Sequence, residues 1–264
     1  REAIAYAAGL QNILLSWSAL EKGRLIYLSS AEVYGDSYQI PVTEAIRPVP
    51  REIRSLMLFQ GEESCRFYQE QLKKDVVILR LDRLYDVPKD KREAEFGICQ
   101  RKCLDAFQDG TVTYRSNYRY GLTYMGDAVE SIYKLVACEE HTHGLYHISS
   151  GKAYSELQIA DEIEKNLGNE LEKINDTLED QHSVILSNER IKEEFGFEIW
   201  CEPEKAIQNI LQYMKKHTGR FLDPSHPGRN IWHRIYYRTI ELLGALVPYI
   251  ENLILFIPFF MLNN

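Results

Sequence analysis

Basic charge is what this sequence has too little of. Its 264 residues carry 31 Lys and Arg against 39 Asp and Glu, a formal net charge of −8. That balance excludes nucleic acid as the main partner, because phosphate binding rests on clustered cations. Cysteine is also sparse. The five residues Cys65, Cys99, Cys103, Cys138 and Cys201 show no framework spacing, which excludes a disulfide scaffold and points to a reduced, cytoplasmic setting. No G-x-S-x-G elbow, P-loop or H-E-x-x-H occurs, so those hydrolase, NTPase and zinc-protease signatures are absent. Cys99 and Cys103 stand at i, i+4 without a third ligand at fitting spacing, and read as an apolar helix face. His141 and His143 read as surface residues, and no metal site is expected. Internal repeats are not visible either.

What is present is globular: 45% apolar and 27% charged residues, enough for a substantial core. Residues 2–22 place Ile4, Ala8, Leu14, Leu15 and Ala19 at roughly helical intervals, with Gly23 as the stop. Residues 24–28 (RLIYL) and 76–81 (VVILRL) are continuous apolar runs, the pattern of strands buried on both faces of a parallel sheet. A loop over 29–52 and a helix over 54–74 lie between them. Helices are also expected at 93–109, 127–138, 155–167, 187–195 and 203–216. Asp127 with Glu130, and Ser155 with Gln158, form capping signals. Helix alternating with buried strand predicts an α/β fold, a Rossmann-like doubly wound parallel sheet.

Residues 26–35 (IYLSSAEVYG), followed by Pro41-Val42-Thr43-Glu44, resemble the extended short-chain dehydrogenase/reductase family, the NAD(P)-dependent epimerases and dehydratases of nucleotide sugars. Further matches keep the family's order. Gly9-Leu10-Gln11-Asn12 is similar to its G-T-x-N helix, and residues 80–85 (RLDRLY) to R-L-x-N-V-Y. Asp127 matches the Asp of V-D-D-V-A. Residues 146–151 (YHISSG), with 154–157 (YSEL), resemble Y-N-I-G-x-G…S-x-x-E-L. The resemblance covers about residues 5–216. It implies NAD or NADP at the carboxyl edge of the strands, with Leu28, Ser29 and Leu84 on the cofactor side. A smaller C-terminal subdomain would bind the sugar nucleotide.

The family's chemistry uses a Tyr base, a Lys four residues later and a Ser or Thr on the reacting oxygen. Ser30 stands at the Ser position; its hydroxyl serves either that role or the backbone at the strand end. Counting about ten residues forward from Glu44 puts the Tyr position at Arg54. Counting back from Glu62 puts the Lys position at Leu58 and the Tyr position at Arg54 again. An Arg does not deprotonate at working pH, and Leu supplies neither charge nor donor. Glu32 takes the place of the dehydratases' Glu, but their preceding Asp is Ala31. Tyr6 replaces the helix Asn, Arg83 the Asn of R-L-x-N-V-Y, and Asp86 the Gly that follows. A framework kept while the active positions change is the pattern of a pseudoenzyme. The Gly-rich phosphate turn, expected about 80 residues before Arg1, does not occur in this sequence. Glu32, Arg83 and Arg119 are the candidate substrate-side residues. Arg54, Arg83 and Arg119 either line the cleft for a diphosphate or other anion, or make ordinary surface ion pairs.

After Lys216 the composition shifts. Residues 217–238 hold four Arg and one Asp among aromatics and Pro, as a cytoplasmic juxtamembrane linker does. Residues 239–264 are mostly Leu, Ile and Phe, and the 24 residues of 239–262 are long enough to span ~30 Å of hydrocarbon. They read as a C-terminal apolar, transmembrane helix, or as an amphipathic helix docked on the domain or membrane interface. The chain opens at Arg1 without Met or a signal peptide and closes just after this run, so it reads as an internal piece of a longer protein. Three functions compete. One is a catalytically inactive binding or regulatory module, tethered to the cell membrane in a polysaccharide-synthesis protein. The second is an active nucleotide-sugar epimerase or reductase with a displaced base (Tyr34, Glu32 or Tyr85). The third is a homodimer scaffold built on the helices at 2–22 and 54–74.

Overall fold

The computed structural model describes residues 2–35, 40–87, 97–116, 118–176, 183–198, 201–217 and 254–256. Its centre is a parallel sheet of β1 (Leu25–Ser30), β2 (Val76–Leu81), β6 (Leu145–Ile148) and β9 (Ile254–Phe256), in the order β6-β2-β1-β9. The two runs read as buried strands are such strands. Every residue of β1 and β2 is buried, and the period-two alternation divides them between two layers. Leu25, Tyr27, Val76 and Ile78 pack against Tyr6, Leu10, Leu14 and Trp17 of α1 (Glu2–Ser18) and Cys65 and Tyr68 of α2 (Ile53–Leu72). Ile26, Leu28, Val77 and Leu79 face the other way. They meet Ala128, Ile132 and Leu135 of α4 (Met125–Ala137) and Ile191 of α6 (Glu189–Phe195). Helices therefore cover both faces of the sheet, as the α/β reading requires.

A second core belongs to the smaller subdomain. Here α3 (Gly97–Asp109), α5 (Glu156–Leu167) and α7 (Pro203–Lys216) pack together through Cys99, Cys103, Ile159, Ile163, Ile210 and Met214. Two small sheets flank them. One is β3-β5-β7 (Arg83–Tyr85, Arg119–Tyr124, Ala153–Ser155), and the other pairs β4 (Thr111–Tyr114) with β8 (Glu172–Asn175). Cys99 and Cys103 are fully buried there.

Three expectations about element ends need correction. α1 stops at Ser18, not at Gly23, because the Trp17 indole folds back to donate to the Gly23 carbonyl at 3.3 Å. α4 is capped by Tyr124, which puts Asp127 in its first turn; β5 runs directly into α4 and leaves no residue for a separate cap. The apolar helix expected over 239–264 lies outside the described residues except at Ile254–Phe256, and those three form a strand. Leu25 of β1 stands opposite Ile254 in parallel register, the pairing an open strand edge offers to a short apolar run. Among the described residues no helix is long and apolar enough to cross a membrane. The cap of α5 is as read: Ser155 Oγ accepts from Gln158 N at 3.1 Å, and Gln158 Oε1 accepts from Ser155 N at 2.8 Å.

Candidate functional site

The carboxyl ends of β1, β2 and β6 open on the crevice where an α/β sheet binds ligands. Ser30 ends β1 and caps a short 3-10 helix, Ala31–Tyr34, its hydroxyl oxygen accepting from Glu32 N at 3.2 Å. Of its two expected roles, the backbone one is occupied. Glu32 projects from that helix, and its Oε2 lies 3.5 Å from Nε of Arg54 in the first turn of α2. That Nε is buried and makes no hydrogen bond.

One turn later Leu58 points inward and is entirely buried in the core that also holds Leu28 and Leu84. On the α1 side, Tyr27 Oη donates to the Leu58 carbonyl at 3.1 Å and is also hydrogen-bonded to Tyr6 Oη. Gly61 makes room for that pair, since a Cβ there would lie 2.1 Å from Tyr27 Oη. Two tyrosines and a leucine thus occupy the region where the family pattern calls for Asn and Lys.

Beneath the crevice lies a buried polar chain. Ser29 Oγ donates to Glu62 Oε1 at 2.6 Å, and Arg80 donates to both carboxylate oxygens, at 2.9 Å through Nε and 2.5 Å through Nη2. Nη1 of Arg80 donates to Tyr34 Oη at 2.5 Å, which in turn meets His147 Nε2 at 2.6 Å. Burial opposes the Arg80 charge, but Glu62 and Tyr34 outweigh it and hold its pKa above the usual value. Burial, reinforced by Arg80, pushes His147 down to about 3. His147 is therefore neutral, with Nδ1 facing the Ser187 carbonyl at 3.2 Å and Nε2 free to accept from Tyr34. Burial raises Tyr34 to about 12 against the pull of Arg80, and Tyr85, deeply buried, gives its hydroxyl to the Cys201 carbonyl. Both hydroxyls are thus hydrogen-bonded within the protein.

Arg83 stacks its guanidinium 4.7 Å from the centroid of the Tyr120 ring. Desolvation works against its charge, and Tyr118, Tyr120 and Glu32 together hold its pKa above the ordinary value. Glu32 adds to the field at Arg83, but the arginine it pairs with is Arg54, at 3.5 Å. Arg119 is not brought to them. It is exposed one position before Tyr120, so its side chain leaves the opposite face of β5, and its backbone N–H donates to Ser183 Oγ at 2.8 Å. The sequence reading missed Asp82. Its Oδ2 accepts from Ser149 Oγ at 2.8 Å and its Oδ1 from Arg83 N at 2.9 Å. Burial pushes its pKa up to about 7 against those two bonds and the Arg83 charge.

A doubly wound sheet, a small subdomain and a crevice at the strand ends define the class as a Rossmann-type α/β protein. A model of the NAD dependent epimerase/dehydratase family matches residues 3–149, and the chain belongs to that family. No curated protein sequence matches it. Among solved structures it is similar to UDP-glucuronic acid 4-epimerase from Bacillus cereus in complex with UDP-glucuronic acid and NAD, at 18% identity and TM-score 0.67, covering 79% of this chain and 66% of that one. UDP-glucose 4-epimerase with UDP-glucose from Thermotoga maritima gives 19% and 0.69, over 80% and 69%. A short-chain dehydrogenase/reductase superfamily protein from Agrobacterium tumefaciens with bound NAD gives 21% and 0.69, over 81% and 74%. The chain thus spans about two thirds of the length of the first of these. NAD or NADP, the cofactor class expected from the sequence, is what such neighbours hold. At the positions that the sequence resemblance assigns to the Tyr and the Lys, the chain has Arg54, paired with Glu32, and Leu58, buried in the core.

Proposed function

We propose that this chain is a nucleotide-sugar epimerase/dehydratase-like domain that binds without turning over. It would act as a cytoplasmic regulatory or ligand-binding module of a membrane-associated polysaccharide-synthesis protein. One observation carries the reading: Arg54 and Leu58, at the Tyr and Lys positions, are an ion-paired guanidinium and a fully buried hydrocarbon. Neither takes up or delivers a proton at neutral pH. The membrane association rests on the composition of residues 217–253 alone, since Ile254–Phe256 lie in the central sheet. The test is incubation of the intact protein with NAD and a panel of UDP-, GDP- and dTDP-sugars, beside calorimetric titration with NADH. Binding without epimerisation or reduction is expected; measurable turnover overturns the reading.

A homodimer scaffold is the second reading, favoured by one surface. Ile53, Leu56 and Phe67 of α2 are exposed, as is Leu15 of α1. Positions 53, 56 and 67 fall on one side of a 3.6-residue helix, an apolar stripe of the kind that pairs with a copy of itself. Sedimentation of the intact protein is expected to show a dimer that Phe67→Glu splits into monomers. A monomeric wild type removes this reading.

A further inference from the structure

We propose that His141 is a proton-operated clasp. As an imidazolium it ties the loop between α4 and β6 to the Asp75 carboxylate at the foot of β2. On losing a proton it releases that loop, which is one wall of a cavity beside β6. The device sits at the amino ends of the strands, away from the crevice, and stands whether or not the crevice turns over a sugar nucleotide.

The geometry of the ring carries the argument. Nδ1 lies 2.8 Å from the His143 carbonyl oxygen, and Nε2 lies 2.7 Å from Asp75 Oδ1. Both partners accept, and a neutral imidazole donates through only one nitrogen. Both bonds therefore form only in the doubly protonated ring; either neutral tautomer sets a lone pair against an oxygen. The side chain, read from sequence as a surface group, is only 13% exposed. Its partner is ionised. Burial opposes the Asp75 charge, but His141 and Arg24 outweigh it and hold its pKa below the ordinary value. Arg24 Nε donates to Asp75 Oδ2 at 2.9 Å, and Nη1 donates to the carbonyls of Leu135 and Cys138 at the end of α4, at 2.7 and 2.8 Å. The carboxylate is thus fixed before the histidine meets it. Other charges near the ring are placed elsewhere: Lys74 Nζ donates to the Leu20 carbonyl at 2.7 Å, and Glu139 and Glu140 of the loop are exposed. α4 turns the Cys138 thiol to Arg24, and α6 turns Glu194 to the loop backbone.

The loop is held from two sides. Towards α6 and β6, Thr142 N donates to Glu194 Oε1 at 2.5 Å and His143 N to Tyr146 Oη at 2.9 Å. Towards the sheet, Arg24 donates to the Glu139 carbonyl at 3.2 Å and His141 holds Asp75. Of these ties, the histidine is the one that titrates near neutral pH. Thr142 and His143 line a cavity of about 470 Å³ with Glu44, Arg190 and Glu194, so the clasp governs one side of it. The Asp75 bond raises the His141 pKa above its ordinary value, against burial and the Arg24 charge. The unfolded value is about 6.5. The clasp is therefore complete below about pH 6.5 and is lost as pH rises through the folded value.

Imidazole ring NMR and amide hydrogen exchange of the intact protein, each followed from about pH 5 to about pH 9, test this. The His141 resonance is the one that His141→Gln removes. It is expected to titrate above about pH 6.5, and Asp75→Asn is expected to lower that midpoint by about one unit or more. Exchange is read as protection factors, which correct for the direct effect of pH on exchange chemistry. Protection of the Thr142 and His143 amides is expected to fall about three- to tenfold across the wild-type titration, the scale of one lost charge-assisted bond at a partly exposed site. In His141→Gln the same amides are expected to stay at the high-pH level throughout, apart from any change shared with the amides of β2. A wild-type His141 that titrates at or below about pH 6.5 overturns the proposal, and that measurement needs no variant beyond the assignment. The same pH course of protection in wild type and His141→Gln overturns it as well.

Discussion

Arg80→Met is expected to cost about 3–5 kcal/mol of folding stability. The side chain is fully buried at the middle of the sheet, where Glu62 takes three of its hydrogen bonds and Tyr34 a fourth, under a cation–ring contact of 4.7 Å. Methionine fills most of the volume, so the loss is not chiefly a cavity. It is the Glu62 carboxylate, itself fully buried, left with Ser29 at 2.6 Å and Arg66 at 3.3 Å. A charge stripped of its main partner in low dielectric is what makes the single change severe. Replacing both partners, Arg80→Met with Glu62→Leu, removes the charge along with its counter-charge. The double variant is expected to be more stable than Arg80→Met alone, within about 1–2 kcal/mol of wild type. Urea unfolding of the four proteins in a double-mutant cycle measures the coupling. Single variants that cost less than about 1 kcal/mol, or costs that simply add, would show that the pair is not the floor of the crevice. Tyr34 ends the 3-10 helix that carries Glu32, so a loosened Arg80 also loosens that platform.

The elements legible in the sequence were those whose information is local. Val76–Leu81 is a strand because six apolar or sheet-facing residues sit together, and Pro203–Lys216 is a helix because Pro at its first turn and a strong 3.6-residue pattern agree. The Arg54 and Leu58 assignments came from counting along the family resemblance, forward from Glu44 and back from Glu62, and the two residues lie one turn apart on α2. The subsidiary strands were invisible for a physical reason. Thr111–Tyr114 and Glu172–Asn175 are four residues each, and they exist because they pair with one another across about 60 residues of chain. The same holds for Arg119, whose sequence neighbourhood suggests a substrate arginine until the alternation of β5 turns it to the other face. Asp82 carried no signal at all. Its environment is made by Gly121, Ser149 and Leu186, none of which is near it in sequence.

Asp82 gives the second large effect, a fall in stability as pH rises from about 4 to about 7 that Asp82→Asn abolishes. Proton bookkeeping around Ser149 supports a neutral acid. Ser149 Oγ accepts from Gly151 N at 3.0 Å and has acceptors at Asp82 Oδ2, 2.8 Å, and Leu186 O, 3.2 Å, for a single hydroxyl hydrogen. With Asp82 protonated, its own O–H donates to Ser149, and Ser149 donates onward to Leu186; every group is satisfied. With Asp82 ionised, Ser149 instead donates its hydrogen to Asp82 Oδ2 and the Leu186 carbonyl goes without. Among the described residues no titratable side chain comes from the other packed elements: β5 presents Gly121, β6 leads to Ser149, and the segment before α6 presents a carbonyl. Arg83 on its own strand is the charge that faces it. The folded pKa of about 7 exceeds the unfolded value of about 3.9, so between them the folded state binds more protons than the unfolded one. Stability is then complete below about pH 4 and declines by up to about 1.4 kcal/mol per pH unit until about pH 7. An Asn amide donates to Ser149 as the acid does and accepts from Arg83 N as before, without titrating. Asp82→Asn is therefore expected to match wild type near pH 4 and to exceed it by about 2–4 kcal/mol at pH 8, read from urea midpoints across the range. Parallel profiles for the two proteins would mean that Asp82 ionises in place without penalty. A diverging profile would also tie the crevice to pH, because the charge that appears above pH 7 lies directly beside Arg83.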